Sequence, residues 1–337
     1  MGDLMNRATI LLPAALVATV FSSRMFADEH PVRAEDRVAA MAARVDEIIE
    51  LRLENDGVQP APLCSDEVFL RRASLDLTGV LPTVAEVRSF LKDQTPDKRT
   101  RTIERLLDSP SHPTHMASTW RNTMLPRSFD REQLNNAAGL QNWLRNQFVK
   151  NLRYDNLVAE FLVATGDGTS GPALYYTSLE LAPEKLAASS ARIFLGLQIQ
   201  CAQCHDHPDE RWTQRDFWGY AAFFSQLQTP DGMPNARVVD LDAGEVLLPD
   251  TEEVVAPKFP DGSSTSEDAL GSRRAQLAIW MASRDNPYLP RAAVNGTWAQ
   301  LFGRGLVNPV DNMGSKNPAG HPELLDELTT YFTQNRF

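Results

Sequence analysis

PEKLAASSARIFLGLQIQCAQCHDH, residues 183–207, is the stretch on which the fold turns. Pro183 suits a first helical position, where its missing N–H would have had no partner anyway. From Glu184 to Gln200 the chain is apolar round much of a helical circumference, as expected of a helix enclosed by core. The spacing predicts one helix that delivers Cys201, Cys204 and His205 at its C-terminal end, against the core. Two thiols three residues apart with a histidine next in line form the attachment pattern of a covalent haem c. The thiols bond one edge of the macrocycle, and the His205 imidazole becomes the axial ligand of the iron.

Three other readings of the same residues stay open. A Cys-x-x-Cys pair can be a redox disulfide, although that motif expects a strand-loop-helix setting and the lead-in here reads as helix. Cys201, Cys204, His205 and His207 could hold zinc, but four ligands within seven residues close a tetrahedron awkwardly. The third reading is incidental: two buried thiols beside a solvated histidine pair. His207 is thus a metal ligand only in the zinc alternative, being two residues from His205 and unable to reach the opposite face of one haem. Candidates for a sixth iron ligand are Met233, Met116, Met124, His112 and His115, each also at home in a core or on a surface.

At the N-terminus Ala8 to Phe21 (ATILLPAALVATVF) carries no charge and follows Arg7. It is shorter than the roughly 20 residues that cross a bilayer, and has the form of a secretory signal. Ala27 before Asp28 is the expected cleavage point, making residues 1–27 a signal peptide and the mature chain periplasmic or secreted. Met25 and Asp3 are atypical there, and an uncleaved anchor is the alternative. Export agrees with haem c, which is attached outside the cytoplasm. Of the chain's 3 cysteines only Cys64 lies outside the motif, so no disulfide framework holds the fold.

The 337 residues leave room for two domains and a sizeable core. With 33 Lys and Arg against 44 Asp and Glu, the formal charge is −11. That balance argues against nucleic acid as a partner and suits a basic redox partner protein. No transmembrane span is expected beyond the signal.

Helical periodicity recurs along the chain. Val38, Met41, Val45, Ile48 and Ile49 fall on one face, and Asp66–Leu77 reads as a helix stopped by Gly79. Thr83 with Glu86 makes a capping box, and further helices are expected near 97–107, 132–148 and 156–164. Gly166–Gly171 (GDGTSG) lacks the Lys-Ser/Thr ending of a phosphate loop and reads as a turn. Thr213 with Asp216 caps another helix, whose Phe217, Trp218, Tyr220, Phe223 and Phe224 could face a porphyrin or simply fill the core. Between 229 and 271 Gly, Pro, Ser and acidic residues thicken into a linker, with a small hairpin expected from Arg237–Asp242 and Glu245–Leu248. Helices return at 273–281, at 290–302 and after His321. The fold class is mainly α: an irregular multi-helix domain carrying the Cys-x-x-Cys-His motif at a helix end, a small β excursion in the linker, and a partial second helical domain.

Several blocks together resemble a bacterial family, known chiefly from planctomycetes, of cytochrome c-like domains of unknown function. They are Phe69-Leu70-Arg71-Arg72, Leu75-Asp76-Leu77-Thr78-Gly79, Gln200 through Pro208, Arg211-Trp212-Thr213-Gln214 and Ala221-Ala222-Phe223-Phe224. Asp209 stands where the family often has an aromatic residue. The tail, through Trp298-Ala299-Gln300, Phe302-Gly303-Arg304-Gly305 and Asn308-Pro309-Val310-Asp311-Asn312, resembles the start of a second planctomycete-expanded domain that usually follows. There Gly296 replaces a common arginine. The resemblance implies a cytochrome c-like domain over 35–228, a linker over 229–271 and the truncated start of the second domain over 272–337.

The leading expectation is therefore an exported haem-c-binding protein in electron transfer or a redox complex. Alternatives are a zinc- or other metal-binding structural module, and an accessory component of extracellular polysaccharide processing. No residue stands out as catalytic: neither a Gly-x-Ser-x-Gly elbow nor a His-Glu-x-x-His site is present. Whether the chain is an enzyme is left undecided by the sequence.

Overall fold

Short polar signals set the helix ends. In a computed structural model that describes residues 34–125, 131–229, 237–265 and 271–335, the first helix, α1, spans Ala34–Asn55. Ser65 accepts from the Val68 amide and opens α2 (Asp66–Thr78), which Gly79 stops in the left-handed region at φ 72°. The Thr83–Glu86 capping box opens α3 (Val84–Lys92), and α4 follows at Lys98–Leu107. One helix that periodicity does not announce, α5 (Ser111–Met124), begins right behind Pro110. The signal segment 1–27 lies outside the described residues.

Then come α6 (Arg131–Val149), α7 (Tyr154–Leu162), the short α8 (Ala173–Ser178) and α9 (Pro183–Ser190). Beyond the Cys/His motif stand α10 (Gln214–Ala221), α11 (Arg273–Met281), α12 (Leu289–Phe302) and α13 (Pro322–Gln334). The fold is thus mainly helical. The chain divides within α1: one unit ends at Arg44, and the other runs from Val45 to Phe337. In the latter a single large core joins Leu140 and Leu144 of α6, Phe161 of α7, Phe194, Phe217 and Tyr220 of α10, and Leu277 and Met281 of α11. A smaller cluster gathers Ile48 with Leu306, Val307, Leu324 and Leu325.

The small sheet differs from the expected hairpin. Its strands are β1 (Gly166–Asp167), β2 (Leu227–Gln228) and β3 (Arg237–Asp240), with β3 in the middle and both pairings antiparallel. Gly166 faces Val238 and Leu227 faces Asp240. Residues 245–248 turn instead onto 253–255, where the Val255 amide donates to Val246 at 3.0 Å. Val238, buried in the core, explains the choice, since the central position covers both of its edges. Gly166–Gly171 is likewise part strand and part turn, with Asp167 Oδ1 accepting from the Thr169 amide at 2.8 Å.

A buried arginine ties these elements together. Arg274, the second residue of α11, is 1% exposed, and its guanidinium meets both oxygens of Asp240 at 2.7 Å. A further nitrogen donates to the carbonyls of Leu162 and Ala164 at the end of α7, and the plane lies 4.8 Å from the Tyr176 ring centre. Four of the five guanidinium N–H groups are bonded in this way, close to the full pairing that a buried charge requires.

Candidate functional site

The helix leading to Cys201 is shorter than its apolar run suggests. After α9 the chain makes one wider turn, Ala191–Leu195, and Gly196 ends it at φ 66°. A side chain at Gly196 would be strained by that backbone and would meet Met313 Sδ at 2.8 Å. The motif therefore does not sit at the end of the long helix. It occupies its own 3-10 turn, Gln200–Gln203.

That turn arranges the thiols. In a 3-10 helix side chains at i and i+3 eclipse. Ile199 and Ala202 therefore share the inward face and are buried, while Cys201 and Cys204 share the outward face, both exposed and both free. Two residues of α10, one turn apart on one face, hold the loop from behind. Gln214 Nε2 donates to the Cys204 carbonyl at 3.0 Å and the Gln203 carbonyl at 3.2 Å, and Trp218 Nε1 donates to Gln203 at 3.0 Å. The Gln214 amide donates to Asp206 Oδ1 at 2.8 Å.

The two histidines are oppositely prepared. His205 is exposed, and its Nδ1 lies 2.8 Å from the Asp206 carbonyl oxygen. A carbonyl only accepts, so Nδ1 carries the proton and the Nε2 lone pair is left free. His207 Nδ1 instead accepts from the amides of Asp209 at 3.2 Å and Glu210 at 3.0 Å. Its lone pair is spent within the loop, and Nε2 holds the proton. Of the pair, only His205 offers a lone pair to a metal.

A haem c needs two accessible thiols and one imidazole lone pair, and Cys201, Cys204 and His205 fit that set. A four-ligand ion would also need His207. Among the described residues no three or more His, Cys, Asp or Glu side chains group so as to hold a metal ion. The other residues singled out by sequence are committed elsewhere. His112 Nδ1 meets the Leu77 carbonyl at 2.7 Å, His115 packs on Gly79, Met116 takes a contact from Gln300, and Met124 is core. Met233 lies outside the described residues. Phe217, Tyr220, Phe223 and Phe224 are buried in the core, leaving only Trp218 beside the motif. Arg211 Nη2 donates to the Pro260 carbonyl at 2.6 Å and Tyr288 Oη at 2.9 Å.

Glu210 and Met313 lie outside every motif read from the sequence, and Asp206 and Gln214 lie in blocks of the family resemblance without a role assigned to them. Glu210 receives the Lys316 amide at 2.9 Å and the Ser315 hydroxyl at 3.0 Å. Burial works to raise its carboxyl, but hydrogen bonds from the Lys316 and Ser315 amides and the Ser315 hydroxyl outweigh it and hold the group below the ordinary glutamate value.

These features define a mainly helical protein with an exposed Cys-x-x-Cys-His loop braced from both sides. Residues 44–229, more than half of the chain, match the protein family of unknown function DUF1549 (PSCyt2), and the chain belongs to that family. Residues 273–337 match a second protein family of unknown function, DUF1553 (PSD1). No curated protein and no solved structure matches the chain. No helix among the described residues is long and apolar enough to cross a membrane.

Proposed function

We propose that the protein is an exported, cytochrome c-like carrier of one covalent haem, bound through Cys201 and Cys204 with His205 as axial ligand. It would serve electron transfer or a redox complex. The observation that carries this reading is the His205 ring, whose Nδ1 is fixed to the Asp206 carbonyl so that the lone pair falls to Nε2, on a loop whose two cysteines are both free and exposed. When bound, haem supplies a one-electron couple that the polypeptide lacks. The chain's own residues do the rest. Asp206 orients the imidazole and raises its basicity as a ligand, and Gln214 and Trp218 fix the backbone that carries the thiols. The acidic surface and the signal-like N-terminus suit a periplasmic or secreted protein meeting a basic redox partner. The resemblance to planctomycete cytochrome c-like domains points the same way.

The test is intact mass and a pyridine haemochrome spectrum of the full chain matured in a host with a haem-attachment system. A mass increment of one haem and an α-band, both abolished in a Cys201→Ala, Cys204→Ala double variant, are expected. Wild-type protein with neither signal overturns the reading.

A further inference from the structure

One short segment of the second family region touches the chain on both sides of the Cys/His motif. Before the motif, the Met313 amide donates to the Gly196 carbonyl at 2.8 Å, and Gln198 Nε2 donates to Asp311 Oδ1 at 3.0 Å. The Arg192 guanidinium adds a looser contact to Asp311 at 3.7 Å. Beyond the motif, Ser315 and the Lys316 amide hold the Glu210 carboxylate. The amide of Glu210 in turn donates to His207 Nδ1, and the His207 amide to the Trp212 carbonyl at 2.8 Å. The absence of side chains on this line is itself informative. Gly196 leaves room for Met313, and a Cβ on Gly314 would fall 2.7 Å from Glu210 Cδ and nearer still to Oε1. The segment is stiffened internally by Asn317, which donates to the Asn312 carbonyl at 2.8 Å.

We propose that Asp311–Lys316 is a clamp that fixes the Cys201–His207 loop, and that Glu210 is its positioning residue. The region matched by DUF1553 is then a working part of the site carried by the region matched by DUF1549. The clamp acts by removing freedom at both ends of a loop whose exposed middle is held from the α10 side by Gln214 and Trp218, so that two thiols and one imidazole stay pre-arranged. The inference rests on the haem reading only for what the loop holds; the clamp itself does not need it.

The experiment uses the haem-free full chain and site-resolved amide hydrogen exchange, with ring-nitrogen NMR of His207. Gly314→Ala drives a methyl into Glu210, and Glu210→Ala removes the acceptor. Each is expected to speed exchange at Asp209, Glu210 and Lys316 by about tenfold, while amides of Leu277 and Met281 in the core keep their native rates. Both should also weaken the Nδ1-acceptor signature of His207. Glu210→Gln keeps an acceptor for the Lys316 amide and should restore slow exchange. Should Gly314→Ala prove too disruptive to fold, Ser315→Ala gives the same local pattern more weakly. Native exchange rates in both Gly314→Ala and Glu210→Ala, or a rise spread evenly over the core, overturns the clamp. Absence of haem from wild-type protein with the exchange pattern as expected leaves the clamp standing and removes only the haem reading.

Discussion

His205 and His207 stand two residues apart and carry their protons on opposite ring nitrogens, which decides what each can do. The reason is local: His205 faces a carbonyl oxygen, and His207 faces two amides. Ring nitrogen NMR of the haem-free protein should therefore find the Nδ1–H tautomer at His205 and the Nε2–H tautomer at His207. The reverse assignment at His205 would put its lone pair on Nδ1, against the Asp206 carbonyl, and leave none on Nε2 for iron, which would sink its role as ligand. Sequence order shows that two histidines are present, but the tautomer depends on how the loop folds back, so this part of the site was not readable from the motif. Arg274 makes the same point for stability. Nothing in the Arg-Arg pair at 273–274 marks which side chain enters the Asp240 knot and which turns to Glu245 and the Ser225 hydroxyl. Arg274→Ala would strip Asp240 and the Leu162 and Ala164 carbonyls of their donor, and a loss of about 3–5 kcal/mol in denaturant unfolding is expected. A loss under about 1 kcal/mol would mean that the knot is well solvated after all.

At the scale of elements, α10 links a helix cap to the motif. The Thr213–Asp216 capping box opens the helix, and Gln214 in its first turn grips Cys204 and Asp206. Thr213→Ala should lower stability by about 1 kcal/mol. Asp216 gives this element a pH dependence. Burial works to raise its carboxyl, but Lys258 at 2.8 Å and both donors of Thr213 more than offset that and hold it below the ordinary value near 3.8. A carboxyl held low when folded stabilises the protein above its unfolded value, and that contribution fades as pH falls through the folded one. The acid limb of stability, below about pH 4, should therefore be shallower in Asp216→Asn; an unchanged limb between wild type and variant would show that Asp216 does not contribute. Capped and periodic helices such as α2, α3, α10 and α11 were legible because cap and apolar face agree in the sequence. Two helices were not. In α5 a proline in the first turn and scattered polar residues hide the period, and α8 is too short and too uniformly buried to show one. The apolar run before Cys201 overstates its helix because Gly196 turns the chain while Leu197 and Ile199 remain buried beyond the helix end. Buried irregular chain and buried helix look alike in composition.

The whole molecule from Val45 onward should unfold as one body, although two family regions are matched in it. Leu277, Ala278, Met281 and Leu289 from the later region sit in the same core as Phe161, Phe194 and Tyr220 from the earlier one. Between them, residues 237–240 supply the central strand, and Phe259 stacks on Phe223 with ring centres 4.7 Å apart and on Trp280 at 5.0 Å. The Gly, Pro and acidic composition of that middle stretch reports its turns, but not the few side chains it sends inward, because burial of isolated residues leaves no period to read. A shared core ties the stability of each part to the other, since removing one exposes apolar surface at roughly 25 cal/mol per Å² on its neighbour. Urea unfolding followed by tryptophan fluorescence and by far-UV circular dichroism should accordingly give a single coincident transition. A chain ended after Thr229 loses β3, the Arg274 knot and the Met281 and Leu289 side chains at once, and should show no cooperative transition and bind a hydrophobic dye. If that shorter chain instead melts cooperatively near the midpoint of the full one, the two regions are separable, and the Cys/His loop can be held without the segment that clamps it.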